Sequence, residues 1–128
     1  MIYLDSSVAL ARLLFERHAP PLAFWNQPLV SSQLLAFEIW NRIHAYDPSG
    51  SNRGPARALL MGIQLFPMDN AVLARALEPW PVPIRTLDAL HLATADYLCR
   101  QGEAVVLASY DQRLLAAARA LGIAAAAL

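Results

Sequence analysis

Lysine is absent from all 128 residues, and arginine supplies all ten basic side chains. A phosphate-binding loop of the Gly-Lys-Ser/Thr type therefore cannot be built. A phospho-acceptor receiver site, which needs an active-site lysine, is excluded for the same reason. Cysteine occurs once, as Cys99, so no internal disulfide can form and a cytoplasmic, reducing environment is expected. No apolar run approaches the ~18–20 residues needed to cross a bilayer, so no membrane association is expected. The opening Met1–Asp5 shows neither a basic n-region nor a cleavage site, which argues against a signal peptide. Any excess of charge is also missing, since ten acids balance ten bases. That balance speaks against tight non-specific DNA binding, while leaving room for an enzyme that meets RNA through a few arginines and a bound metal.

What the chain has in excess is apolar side chains, at 57% of residues, against the ~45–50% of ordinary soluble chains. Part of this is alanine. The remainder is more apolar surface than one small core hides, so a homodimer or a partner protein is expected. The length suits a single domain spanning residues 1–128.

Short β-type runs alternate with helical patterns along the chain. Ile2–Leu4 leads into a helix at Asp5–Ser7, with Val8, Leu10, Leu13 and Leu14 as its apolar positions. The turn-rich residues 18–27 precede a strand at Leu29 and Val30 that ends at Ser31, and residues 32–46 read as a strongly apolar helix. Residues 47–55 are a loop, with Pro55 suited to the first position of a helix running to about Met61. Residues 64–68 form a weak third strand, and Asp69 caps a helix over 70–77. Three prolines make residues 78–86 an extended connection. A helix then stops at Gly102, residues 104–109 are a buried strand, and another helix closes at Gly122 before a last short strand. The alternation predicts an α/β fold: a three-layer α/β/α sandwich around a central parallel sheet of four to five strands.

Four acids stand out. Asp5 follows the first strand directly, Asp111 follows the 104–109 strand by two residues, and Asp88 opens a helix. In open parallel sheets ligands bind beyond the carboxyl ends of the strands, where strand order reverses. Glu38 lies inside a helix among Leu34, Leu35, Phe37, Ile39 and Trp40, costly company for an uncompensated carboxylate. Taken singly, each has an ordinary structural explanation: the aspartates as helix caps, Ser109 with Gln112 as a capping box, Glu38 as a surface partner of Arg42. Taken together, carboxylates ~4 Å apart repel by about 4 kcal/mol at an effective dielectric near 20, so a cluster of four requires a cation. Oxygen ligands suit Mg²⁺, or Mn²⁺, rather than zinc.

The blocks YLDSSVAL, SSQLLAFEIWNRI, RTLDALHLATA and SYDQRLLAAARALGI, in that order over residues 2 to about 123, resemble the PIN-domain ribonucleases. Among these the chain is most similar to the VapC-type toxins of bacterial toxin–antitoxin pairs. The resemblance implies a PIN-like fold and a Mg²⁺-dependent endoribonuclease, the toxin of a type II pair, that acts on RNA and is held by a small antitoxin protein. It implies Asp5, Glu38, Asp88 and Asp111 as metal-binding, catalytic acids, with Ser6 or Ser109 positioning water or ligand. Ser109 stands where many relatives carry threonine. The implied reaction is phosphodiester hydrolysis by metal-activated water, leaving a 5′-phosphate and a 3′-hydroxyl.

Arg12, two turns beyond Asp5, and Arg85, just before Asp88, are the candidate phosphate contacts. His91, one turn after Asp88, is expected to be a core histidine with one satisfied nitrogen, and Asp96 an exposed helix residue. The three tryptophans are expected in the core. Two other functions compete. A catalytically inactive PIN-like interaction module has no use for a repulsive acidic cluster. A haloacid-dehalogenase-type hydrolase needs a second aspartate where Ser7 stands, and is rejected.

Overall fold

The computed structural model describes residues 1–128. Five strands, β1 (Ile2–Leu4), β2 (Leu29–Ser32), β3 (Gln64–Phe66), β4 (Val106–Ala108) and β5 (Ala124–Ala125), form one sheet. Its order is β3-β2-β1-β4-β5 and every neighbouring pair is parallel. The chain winds outward from β1 to β3, then returns to lay β4 on the other side of β1. Strand order thus reverses between β1 and β4, the place where such sheets open a crevice at their carboxyl edge.

Six helices cover the sheet: α1 (Ser6–Leu13), α2 (Leu34–Tyr46), α3 (Arg53–Met61), α4 (Asn70–Ala76), α5 (Thr86–Arg100) and α6 (Gln112–Ala120). The period-two alternation of the strands divides the interior into two cores. Ile2, Leu4, Leu29 and Ala108 face α1, α2 and α3, burying Val8, Leu35, Ile39 and Ile43. Tyr3, Val30 and Leu107 face α5 and α6, burying Leu92, Leu98, Leu114 and Ala118. This is the expected three-layer α/β/α fold with a parallel sheet, at the upper end of the anticipated strand number. No helix is long and apolar enough to cross a membrane.

Local departures have physical causes. Leu22–Asn26, within the stretch read as turn-rich, is a 3₁₀ segment that seats Phe24 in the first core. Helix α3 begins at Arg53, so Pro55 is its third residue rather than its first. A helix leaves its first four N–H groups without internal partners, so proline costs no hydrogen bond there. The loop before it is tied by Asp47, whose carboxylate accepts from the Asn52 N–H at 2.6 Å and from the Ser49 and Ser51 hydroxyls. Those donors hold its carboxyl below the usual range. Phe15, Leu22, Met61 and Leu77 remain largely exposed, the apolar excess foreseen from composition.

Candidate active site

A cavity of about 630 Å³ opens at the carboxyl edge of β1 and β4, and Asp5, Glu38, Asp88 and Asp111 all line it. Each reaches it from a different element. Asp5 leaves β1 in extended conformation and caps α1, its backbone N–H tied to Ala108 O at 3.0 Å across the switch point. Its carboxylate is buried and heavily hydrogen-bonded. Oδ2 accepts from the Ser7 hydroxyl at 2.7 Å, the Ser109 hydroxyl at 2.8 Å and the Ser7 N–H at 3.4 Å. Ser109 Oγ also accepts from Asp111 N–H at 2.9 Å, and Ser7 Oγ from Tyr110 N–H at 3.0 Å. Two serines thus lace the end of β1 to the end of β4. Ser7 went unrecognised in the sequence; its signal was an i+2 hydroxyl beside a strand-end aspartate, visible but common.

Glu38 sits in the second turn of α2 and is half-buried. Its partner is not Arg42. Oε1 meets His91 Nε2 at 2.5 Å, and Oε2 accepts from the Ser6 hydroxyl at 3.3 Å. His91 Nδ1 in turn meets the Tyr3 hydroxyl at 2.8 Å. His91 is a core histidine as expected, but both of its nitrogens are satisfied rather than one. Burial pushes the Tyr3 phenol well above its ordinary value.

Asp88 lies in the first turn of α5, after the proline-rich connection, and Asp111 caps α6 by accepting from Arg113 N–H at 2.9 Å and Leu114 N–H at 3.3 Å. Asp111 is therefore the cap itself, not a first-turn residue behind a Ser109 cap. Burial, then repulsion from Asp111 and Asp5, raises the Asp88 carboxyl above its usual range, against the pull of Arg85 and His91. Asp88 is close enough to Asp111 and Asp5 to be repelled by both. The four acids are not closed into a chelate: no three His, Cys, Asp or Glu side chains stand together as a ligand group. In donor chemistry the set fits a hard divalent ion, since every free ligand atom facing the cavity from these residues is a carboxylate oxygen.

The arginines are distributed differently from the expectation. Arg85 lines the cavity. Arg12 does not: its guanidinium lies 4.6 Å from the Trp25 ring centroid and borders a separate, mostly apolar groove with Phe15 and Leu22. The cavity takes Ser6, Ser7, Leu10 and Leu14 from this part of the chain, whereas Arg12 and Leu13 border the groove. Arg42 takes the place it was to fill, lining the acidic cavity with its guanidinium 4.4 Å from the Tyr46 centroid and no carboxylate bound to it. Asp96 is not the exposed helix residue expected, nor does it line the cavity. It accepts from Arg75 at 2.9 Å and pairs with Arg100 at 3.1 Å, pinning α4 to α5. Trp25, Trp40 and Trp80 are partly buried against the cores, each with an arginine over its ring.

Comparison with known proteins agrees with this architecture. The PIN domain family model matches residues 2–120. The chain is 32% identical over 129 residues to Ribonuclease VapC47 of Mycobacterium tuberculosis, covering 95% of this chain and 93% of that protein. Identity to Ribonuclease VapC35 of the same organism is 33%, over 99% and 96% of the two chains. To Ribonuclease VapC46 it is 36%, over 96% and 94%. With a parallel sheet in this order, four acids on one cavity and relatives matched end to end, the chain belongs to the PIN-domain family, among the VapC-type proteins.

Proposed function

We propose that this chain is a Mg²⁺-dependent endoribonuclease, the toxin of a type II toxin–antitoxin pair acting in the cytoplasm. The observation that carries the proposal is the meeting of Asp5, Glu38, Asp88 and Asp111 around one cavity at the β1/β4 switch point. The relatives named above are ribonucleases by name, which supports extending that activity here.

The residues divide the work. Asp5 is the most firmly oriented acid, with three donors on one oxygen, and Asp88 and Asp111 face it from the first turn of α5 and the cap of α6. Mg²⁺ bound among these carboxylates would supply an acidified water and neutralise charge on the phosphate. Arg85 and Arg42 border the same cavity and would hold the RNA backbone. Serine hydroxyls are committed to carboxylates: Ser6 to Glu38, Ser7 and Ser109 to Asp5. None is aligned on a histidine as a nucleophile, so direct attack by water is the fitting chemistry. A small antitoxin and a second copy of the chain are the proposed partners, and Phe15, Leu22, Met61 and Leu77 offer exposed apolar surface for them.

The test is cleavage of single-stranded RNA by the purified chain. Hydrolysis in Mg²⁺ that stops in EDTA, returns with added Mg²⁺ or Mn²⁺, and leaves 5′-phosphate ends is expected. Undiminished cleavage in EDTA would refute the proposal.

A further inference from the structure

We infer that His91 is a positioning residue for Glu38: a buried Tyr3–His91–Glu38 chain holds one carboxylate oxygen and leaves the other for the cavity. The inference rests on the metal-binding reading of Glu38 given above.

Hydrogen-bond inventory assigns the Nε2 proton. Glu38 Oε1, as a carboxylate oxygen, accepts only, so the His91 Nε2 beside it at 2.5 Å carries the hydrogen. On the other side of the ring, Nδ1 lies 2.8 Å from the Tyr3 hydroxyl, which also meets Ser31, Thr94 and the Ser32 backbone. Ser31 and Thr94 donate in turn to Leu4 O and Leu90 O, tying this side of the ring to β1 and α5. Nothing in this arrangement can rearrange cheaply, because Tyr3 is 0% and His91 1% exposed and their rings meet edge-on at 81°.

The consequence falls on Glu38. Glutamate has three side-chain torsions and would sample many directions from an open helix face. Here Oε1 is occupied by the imidazole, while Oε2, touched only by the Ser6 hydroxyl at 3.3 Å, remains the oxygen offered to a ligand. Glu38 is thus prepared for one-oxygen coordination. Outer partners that hold a metal-ligating group in place work in this way at metal sites generally. A histidine that merely filled the core would need its shape and not its Nε2–H.

Two measurements separate these roles. In the metal-free protein, ¹⁵N–¹H spectra of the imidazole should show His91 protonated at Nε2. A ring bare at Nε2 overturns the inference. In calorimetry with Mn²⁺, folded His91→Phe should bind about 10–100-fold more weakly than the parent, while His91→Gln, whose amide can still donate to Glu38, should stay within about threefold. Equal affinity of the folded Phe variant and the parent also overturns it. If the parent itself bound no Mn²⁺, the metal reading would fall, and the imidazole spectrum would still decide whether His91 donates to Glu38.

Discussion

Replacing Ser7 with alanine removes one hydroxyl that serves two partners, and the structure sets the size of the effect. Ser7 Oγ donates to Asp5 Oδ2 at 2.7 Å and accepts from Tyr110 N–H at 3.0 Å. A hydrogen bond to a buried charge contributes about 1.5–3 kcal/mol, and a backbone N–H left without an acceptor costs about 1–3 kcal/mol. The two share one atom and Tyr110 is only half-buried, so the losses do not add fully, and about 2–4 kcal/mol is expected. Alanine in α1 returns no more than about 0.5 kcal/mol of helix propensity. The hydroxyl loss dominates. For a chain of this size Tm should fall by about 6–15 °C, and the urea midpoint should drop with an unchanged slope. Ser7→Thr keeps the hydroxyl and should lose much less. A Ser7→Ala loss below about 0.5 kcal/mol, the range of an ordinary surface change, would refute the claim that Ser7 ties β1 to β4.

Other consequences can be measured on the same protein. The Asp88 carboxyl is raised by burial and by Asp111 and Asp5, so the unfolded chain releases this proton at lower pH than the folded one. Stability is then untouched below the unfolded value and lost as pH rises through the folded value. Metal-free Asp88→Asn should accordingly outlast the parent against urea at about pH 7 and match it near about pH 3; a less stable variant at neutral pH contradicts the sign. Arg85→Ala and Arg42→Ala should each weaken RNA binding and reduce its salt slope by about 0.7, whereas Arg12→Ala should leave the slope unchanged. Gly122, at φ +81° with nothing within 4 Å of an added Cβ, should cost about 1–2 kcal/mol on change to alanine, from backbone strain alone; a neutral result in denaturant titration would contradict this.

How much could be read beforehand depended on the range of the interaction involved. Strand and helix positions follow from local periodicity, so β1, β4, α5 and α6 were placed within a residue or two. Asp5 and Asp111 were legible at the sheet edge because both adjoin strands that the βα alternation makes parallel. The true partner of Glu38 was not legible. Within α2 only Arg42 is near it, while His91 arrives from α5, 53 residues on. Arg12 and Arg42 were exchanged for a related reason: spacing along one helix says which residues share a face, not which cavity that face meets. Asp96 looked exposed because Arg75, which covers it, comes from α4. Pro55 misled by one rule of helix starts, since the third position tolerates proline as well as the first.

The central claim is that these four carboxylates hold the metal that cuts RNA. It is tested most directly by the rate of single-stranded RNA cleavage in Mg²⁺ by the parent, Asp5→Asn and Asp111→Asn proteins, each first shown to be folded. The account predicts cleavage by the parent and a loss of at least about 100-fold in both variants, because each removes a carboxylate charge with little change of shape. Parent-level cleavage by either folded variant would contradict it.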